Sequence, residues 1–261
     1  ANAAHGERAV ELKIVDRIAD EHSAYASADL VIFAIPVNLL AGKLSQVLDN
    51  IGKHTTVMDV GSTKAQICKA VANHPKRAQF VAAHPIAGTE NSGPDAAFSG
   101  LFTDKTTIIC EHQRSSAEAL ALVNKVFKTL RMKAIYMQPD EHDKHVAYVS
   151  HLSHVSSFLL GQTVLDIEKD EKNIFTLAGS GFASTVRLAK SSPSMWAPIF
   201  EQNMEYLSQA LQEYIIHLQR FQYHLMKKNT TELYRIITEA NEIRRILDGT
   251  ELSASSIREN K

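Results

Sequence analysis

Three apolar runs, each closed by a polar turn, constrain this chain more than any other feature. Leu30 to Val37 reads LVIFAIPV, Thr55 to Ser62 reads TTVMDVGS, and Gln79 to Gly88 reads QFVAAHPIAG. The first is almost continuously apolar, which suits a strand buried on both faces of a parallel sheet. Between the runs, Asn38 to Asn50 carries Leu39, Leu40, Leu44, Val47 and Leu48 close to helical spacing, and a shorter helix is expected from Lys64 to Ala72. Two further strands, in LFTDKTTIIC and MKAIYM, bracket a helix from Ser116 to Leu130. Strands alternating with helices in this way imply βαβ units and a parallel sheet.

From Pro139 onward the pattern is helical, with no convincing strand before the C-terminus. At 261 residues two domains of ordinary size are expected. Residues 1–138 read as α/β, a partial Rossmann-type nucleotide-binding domain; residues 139–261 read as an all-helical domain. In the helical part, Val146, Val149, Leu152, Val155 and Leu159 lie along one helix, and short helices surround Ala178 to Ser194. Two long helices follow, Met195 to Lys228 and Thr230 to Leu247, before a SASSIRENK tail expected to fray. The N-terminal residues up to Ile14 read as the tail of a helix.

Bulk properties exclude several functions. A formal net charge of -1 and the lack of a basic stripe remove the electrostatic footprint of a nucleic-acid binder. The Leu30–Val37 run falls far short of the ~20 residues that span a bilayer, and the N-terminus has no signal-peptide pattern. The expectation is a cytoplasmic protein with a small-molecule partner, in which Cys68 and Cys110 are reduced thiols without metal-ligand spacing.

Ligands of an open α/β sheet bind outside the carboxyl ends of its strands, so Ser62, His84, Thr89 and Glu90 are expected to crowd one crevice. In the helical part, HLSH puts His151 and His154 three residues apart on one helix face. A metal site there needs a third ligand and a carboxylate base at suitable spacing, and neither follows. His142 and His145 read as part of a polar stripe in an acidic helix start. Arg187 lies among small and apolar residues in GFASTVRLAKSSPSMW; its planar fork suits either a bound carboxylate or a salt bridge to a nearby acid.

DVGSTK, AAHPIAGTENSG, DEHDKHVAYVSHLSH and GFASTVRLAKSSPSMW follow one another in the order seen in prephenate and arogenate dehydrogenases, and the resemblance runs from Ala9 to about Arg245. It implies NAD(P)-dependent oxidative decarboxylation of prephenate to 4-hydroxyphenylpyruvate, or of arogenate to tyrosine, in tyrosine biosynthesis. By this resemblance His84 is the catalytic group at the ring hydroxyl, Ser62 orients His84 and touches the same hydroxyl, and Arg187 holds the ring carboxylate. Thr89, Glu90, His151 and His154 line the pocket near the substrate side chain, with Met195 and Trp196 packing nearby. Ile35, Pro36, Val37 and Ser62 lie along NAD or NADP, and the helical domain forms an intertwined homodimer.

The sequence departs from the family pattern in places. No strand and glycine-rich turn of the G-x-G-x-x-G kind precedes the first apolar run, Gly6 being the one glycine before Gly42, so the chain is read as a fragment of a longer gene product. Ser184 and Ser180 stand where the family usually has Asp and Gly, which alters how Arg187 is held. Two other readings compete. One is a non-catalytic truncated homologue acting as a helical dimer or ligand-binding protein. The other is a hydroxyacid dehydrogenase, which would use a lysine in the helical domain that SHLSH does not offer. The choices between prephenate and arogenate, and between NAD and NADP, stay open.

Overall fold

A computed structural model describes residues 3–171 and 173–256. The chain divides into two compact units, with the boundary between Ser208 and Gln209. In the first unit, α1 (Ala3–Glu11) and α2 (Glu21–Ser27) precede the sheet, and the Asp20 carboxylate caps α2 by accepting from the Ser23 amide. Then come β1 (Leu30–Phe33), α3 (Val37–Asn50), β2 (Thr56–Asp59), α4 (Ala65–Ala70), β3 (Phe80–Pro85), β4 (Thr106–Cys110), α5 (Ala117–Thr129) and β5 (Lys133–Met137). Helical segments follow: α6 (Pro139–Val146), a π-turn (Ala147–His151), α7 (Leu152–Asp170), α8 (Ser180–Thr185) and α9 (Pro193–Gln202). The boundary falls within α10 (Met204–Met226), and α11 (Thr230–Ser256) belongs to the second unit. No strand follows β5 among the described residues. Of the tail expected to fray, 253–256 are helical and the rest lies outside the described residues.

The five strands pair in chain order. β1, β2 and β3 are parallel, as are β4 and β5, which bears out the expected parallel, Rossmann-type sheet. β3 and β4 are antiparallel, a refinement of that expectation. Parallel neighbours need a crossover, usually a helix. Between β3 and β4 there is only a single 3-10 turn, Pro94–Ala96, so the chain doubles back on itself.

Side-chain alternation along each strand builds two cores, one on each face. Val57, Phe80, Ala82, Ile108 and Cys110 face the helices α3 and α4, joined by Trp196 and Ile199 of α9. Met58, Val81, Ala83 and Ile109 face α5, whose buried residues Ala119, Val123 and Phe127 recur at four-residue intervals behind the N-cap Ser116. On α3 the buried residues are Val37, Leu40, Leu44, Val47 and Leu48. Leu39, expected on the same stripe, is exposed.

The helical part differs from its sequence reading in two places. The single helix expected from Met195 to Lys228 is interrupted at Asn203 (φ −110°, ψ 27°), whose buried side chain turns inward to hydrogen-bond. The apolar stripe from Val146 to Leu159 is not continuous: Val146 is buried but Val149, within the π-turn where the helical phase shifts, is 76% exposed.

Candidate active site

The same alternation aims His84. Phe80 and Ala82 point to the α3 face and Ala83 to the α5 face, so His84 returns to the α3 face at the carboxyl end of β3, paired in register with Ile108. It opens onto a cleft of about 730 Å³, within the ordinary range for small-ligand sites. The β3–β4 loop supplies Thr89 and Glu90, the turn after β2 supplies Ser62, α6 and α7 supply His145 and His154, Arg187 comes from the segment leading into α9, and Met195 and Trp196 come from α9 itself. Residues far apart in sequence thus share one cavity, as expected for strand ends.

Behind His84 runs a buried polar chain. His84 Nδ1 lies 2.8 Å from His142 Nε2, and His142 Nδ1 lies 2.7 Å from Asp143 Oδ1. The Asp143 carboxylate also accepts from the backbone N–H groups of Lys64 (2.8 Å) and Ala65 (2.9 Å). Asn203 Nδ2 donates to the Asp143 carbonyl at 2.7 Å and sits 3.0 Å from His151 Nδ1. Beneath β3, the Lys64 ammonium is held by the Asp59 carboxylate and donates to the Ala83 carbonyl at 2.8 Å; Lys64 and Asp59 are both fully buried. Gly61 completes this turn. A Cβ there would sit 2.7 Å from Leu40 Cδ1, and its amide donates to Asp59 Oδ2 at 2.9 Å.

Burial drives the electrostatics. It holds the His84 pKa well below the usual imidazole value, with His142, Lys64 and His151 acting in the same direction. His142 is lowered by burial against the opposing pull of Asp143, and His151 is lowered by burial to about 4. His154 is also lowered by burial; its ring stacks on Trp196 with centroids 3.5 Å apart.

Several site expectations change. His142 is not part of an exposed stripe: it is fully buried, because Pro139, His142, Asp143 and Val146 form the inward face of α6. His151 does not line the pocket but stands behind it, buried beside Asn203. Ser62 lines the cleft, and the partner of His84 Nδ1 is His142. Arg187 pairs at 2.7 Å with Glu90, a salt bridge at the cleft that supplies the carboxylate Ser184 lacks. Ser184 instead donates to the Gly181 carbonyl. Val37 has its side chain in the core, Ile35 packs against that core, and Pro36 is exposed; of the four expected cofactor residues, Ser62 alone lines the cleft. His142, Asp143, Lys64 and Asn203 are the residues that sequence reasoning missed.

The carboxyl ends of β1 and β2 lie side by side, Phe33 paired with Asp59, and the close-packed turn at Gly61 brings Ser62 to the cleft beside His84. This strand-end crevice fits the nicotinamide end of a dinucleotide. A mostly parallel α/β sheet with such a crevice, a buried imidazole on its wall and a helical second part define a nicotinamide-dependent dehydrogenase. Residues 1–136 match the prephenate dehydrogenase nucleotide-binding domain and residues 138–239 match the prephenate dehydrogenase dimerization domain. The chain belongs to the prephenate dehydrogenase family.

Known relatives agree. The cyclohexadienyl dehydrogenase of Zymomonas mobilis is 28% identical over 240 residues, covering 91% of this chain and 82% of that protein. The prephenate dehydrogenase of Bacillus subtilis is 30% identical over 244 residues, covering 90% of this chain and 64% of that protein. Among solved structures, prephenate dehydrogenase from A. aeolicus in complex with hydroxyphenyl propionate and NAD+ superposes with a TM-score of 0.81 at 28% identity, covering 94% of this chain and 86% of that one. Synechocystis arogenate dehydrogenase superposes with a TM-score of 0.71 at 26% identity, covering 92% and 87%. No helix among the described residues is long and apolar enough to cross a membrane.

Proposed function

We propose that this chain catalyses the NAD(P)-dependent oxidative decarboxylation of a cyclohexadienyl acid, prephenate or arogenate, with His84 as general base. The observation that carries this reading is the His84 ring at the carboxyl end of β3, backed by His142 and open to a cleft that Ser62 and Arg187 also line. His84 accepts the proton of the ring hydroxyl as that oxygen becomes a carbonyl, a contribution of about 10²–10⁴ in rate. A base held neutral by burial is ready for this at neutral pH. Ser62 hydrogen-bonds the same hydroxyl, and Arg187 holds the ring carboxylate that departs as carbon dioxide.

Thr89, Glu90 and the stacked pair His154 and Trp196 shape the cleft around the substrate side chain, with Met195 beside them. A bound nicotinamide would supply the hydride acceptor, and Ser62 and the backbone after β1, at Ile35 and Pro36, would border it. Aromatisation of the ring drives the reaction, so the protein has to position, polarise and exclude water.

The protein works in the cytoplasm as a homodimer formed through its helical part. Within the second unit, α10 and α11 expose Ile216, Leu218, Leu225, Tyr234, Ile237 and Ile243, more large apolar side chains than a lone helical pair tolerates in water. Sedimentation equilibrium tests the dimer.

Activity is tested by the absorbance of reduced nicotinamide, with prephenate and arogenate each offered with NAD+ and NADP+. The assay uses this chain together with any residues its gene encodes ahead of Ala1. Turnover with either acid is the expected result; none with any combination overturns the reading.

A further inference from the structure

We infer that His142 and Asp143 form a positioning pair that fixes His84 in the tautomer with its proton on Nδ1, leaving Nε2 free to face the cleft. This inference rests on the reading of His84 as the base, and it concerns what makes that base competent. Nothing in the reaction itself requires a second histidine.

Asp143 is the one member of the chain whose hydrogen-bonding sense is fixed. Backbone N–H groups can only donate, and two of them, from Lys64 at 2.8 Å and Ala65 at 2.9 Å, are directed at the two carboxylate oxygens. With both oxygens already accepting from backbone N–H groups, this carboxylate meets His142 as an acceptor. His142 Nδ1, 2.7 Å from Oδ1, must therefore be the donor. In a neutral imidazole the other nitrogen is then bare, so His142 Nε2 accepts. Its partner at 2.8 Å is His84 Nδ1, which must donate. The remaining nitrogen of His84, Nε2, carries the lone pair.

His142 is fully buried, and the His84 and His142 rings meet edge to face with centroids 5.1 Å apart. Asn203 anchors the arrangement from the break between α9 and α10, since its amide donates to the Asp143 carbonyl. The groups that face His84 from the packed elements are His142 on α6, Lys64 after β2 and His151 in the π-turn, with Asp143 and Asp59 behind them. When His84 takes the substrate proton, its Nδ1–H already points at an acceptor, and the new positive charge is stabilised in place by the hydrogen-bonded chain that ends on a carboxylate, without any group having to turn.

Asp143→Asn replaces an acceptor with a group that can donate to His142 Nδ1. That reverses the chain: His142 Nε2 becomes the donor, His84 Nδ1 the acceptor, and Nε2 of His84 carries the proton it should receive. In a Ser-His-Asp triad the equivalent exchange costs about 10⁴ in kcat. The expected loss here is at least about 100-fold in kcat. The KM should stay within about threefold and the acid limb of the pH profile should move, whereas a purely structural residue would leave that limb in place. His142→Gln, which keeps an acceptor within reach of His84 Nδ1, retains more kcat than His142→Phe.

The tautomer can also be read without any variant by long-range nitrogen–proton NMR on histidine-labelled protein, with the His84 signals assigned by their loss in His84→Asn. An Nδ1–H, bare-Nε2 pattern supports the inference, and an Nε2–H pattern overturns it. Asp143→Asn with unchanged kcat and pH profile, beside an inactive His84→Asn, overturns the positioning pair and leaves the base reading standing. Activity in His84→Asn sinks the base reading itself. Should Asp143→Asn fail to fold, the NMR pattern decides alone.

Discussion

Glu90 and Arg187, 97 residues apart, meet at 2.7 Å on the lining of the active-site cleft. Arg187 Nη1 donates to Glu90 Oε2, and the guanidinium remains about half exposed, with donors left over for a bound carboxylate. An ion pair this open to solvent contributes little to folding.

Its consequence is for binding. Arg187→Gln should raise the KM for prephenate or arogenate by about 10- to 100-fold, the loss expected when a charge-assisted hydrogen bond to a ligand carboxylate is removed. Thermal stability should be unchanged. Initial-rate kinetics and a melting curve check both halves; a variant with wild-type KM would show that another group holds the carboxylate.

The depressed pKa of His84 sets the pH dependence. With His84 as the proposed base, activity requires its neutral form and falls as pH falls through its pKa, and burial, with help from His142, Lys64 and His151, has moved that pKa well below its usual 6.5. The acid limb of kcat/KM should have its midpoint below pH 6.5. Finding it at or above 6.5 would mean that a more exposed histidine governs the reaction.

Lys64 and Asp59 carry a stability prediction. Both are fully buried, and Lys64 bridges the Asp59 carboxylate to the Ala83 carbonyl, one residue ahead of His84. Lys64→Met leaves a carboxylate in the core without its cation, at a cost of about 3–5 kcal/mol. Adding Asp59→Asn should recover part of the loss, because the stranded charge is gone. Urea denaturation of the two variants tests this, and a Lys64→Met protein as stable as the parent refutes it.

The β-strands were legible because each is a short apolar run ended by a turn, and His84 was legible because it sits at such an end. The antiparallel β3–β4 pair was not foreseen, although the signal exists: from Ile86 to Lys105 the chain has glycines, a proline and no helical period, so nothing could build a crossover. His142 was misread because DEHDKH looks uniformly polar. Yet Pro139, His142, Asp143 and Val146 stand at i, i+3, i+4 and i+7, the spacing of a buried helical face, and a His–Asp pair on such a face needs an internal partner. The swap of His151 for a core position depends on the π-turn, which leaves no mark that periodicity reads.

Buried histidines also make the fold sensitive to acid. His151 stays neutral in the folded chain down to about 4, while in the unfolded chain it takes a proton near 6.5. Between those values the unfolded state binds more protons, so stability decreases as pH falls from about 6.5 to about 4, and this group contributes no further change below that. For His151 alone the effect is on the order of 3 kcal/mol. His84, His142 and His154 are lowered as well and act with the same sign. Denaturant midpoints measured from pH 7.5 to 4.5 should drop steadily, and His151→Gln should flatten the slope even if it lowers stability at pH 7.5. A parent protein with no drop across that window would place these histidines in contact with water.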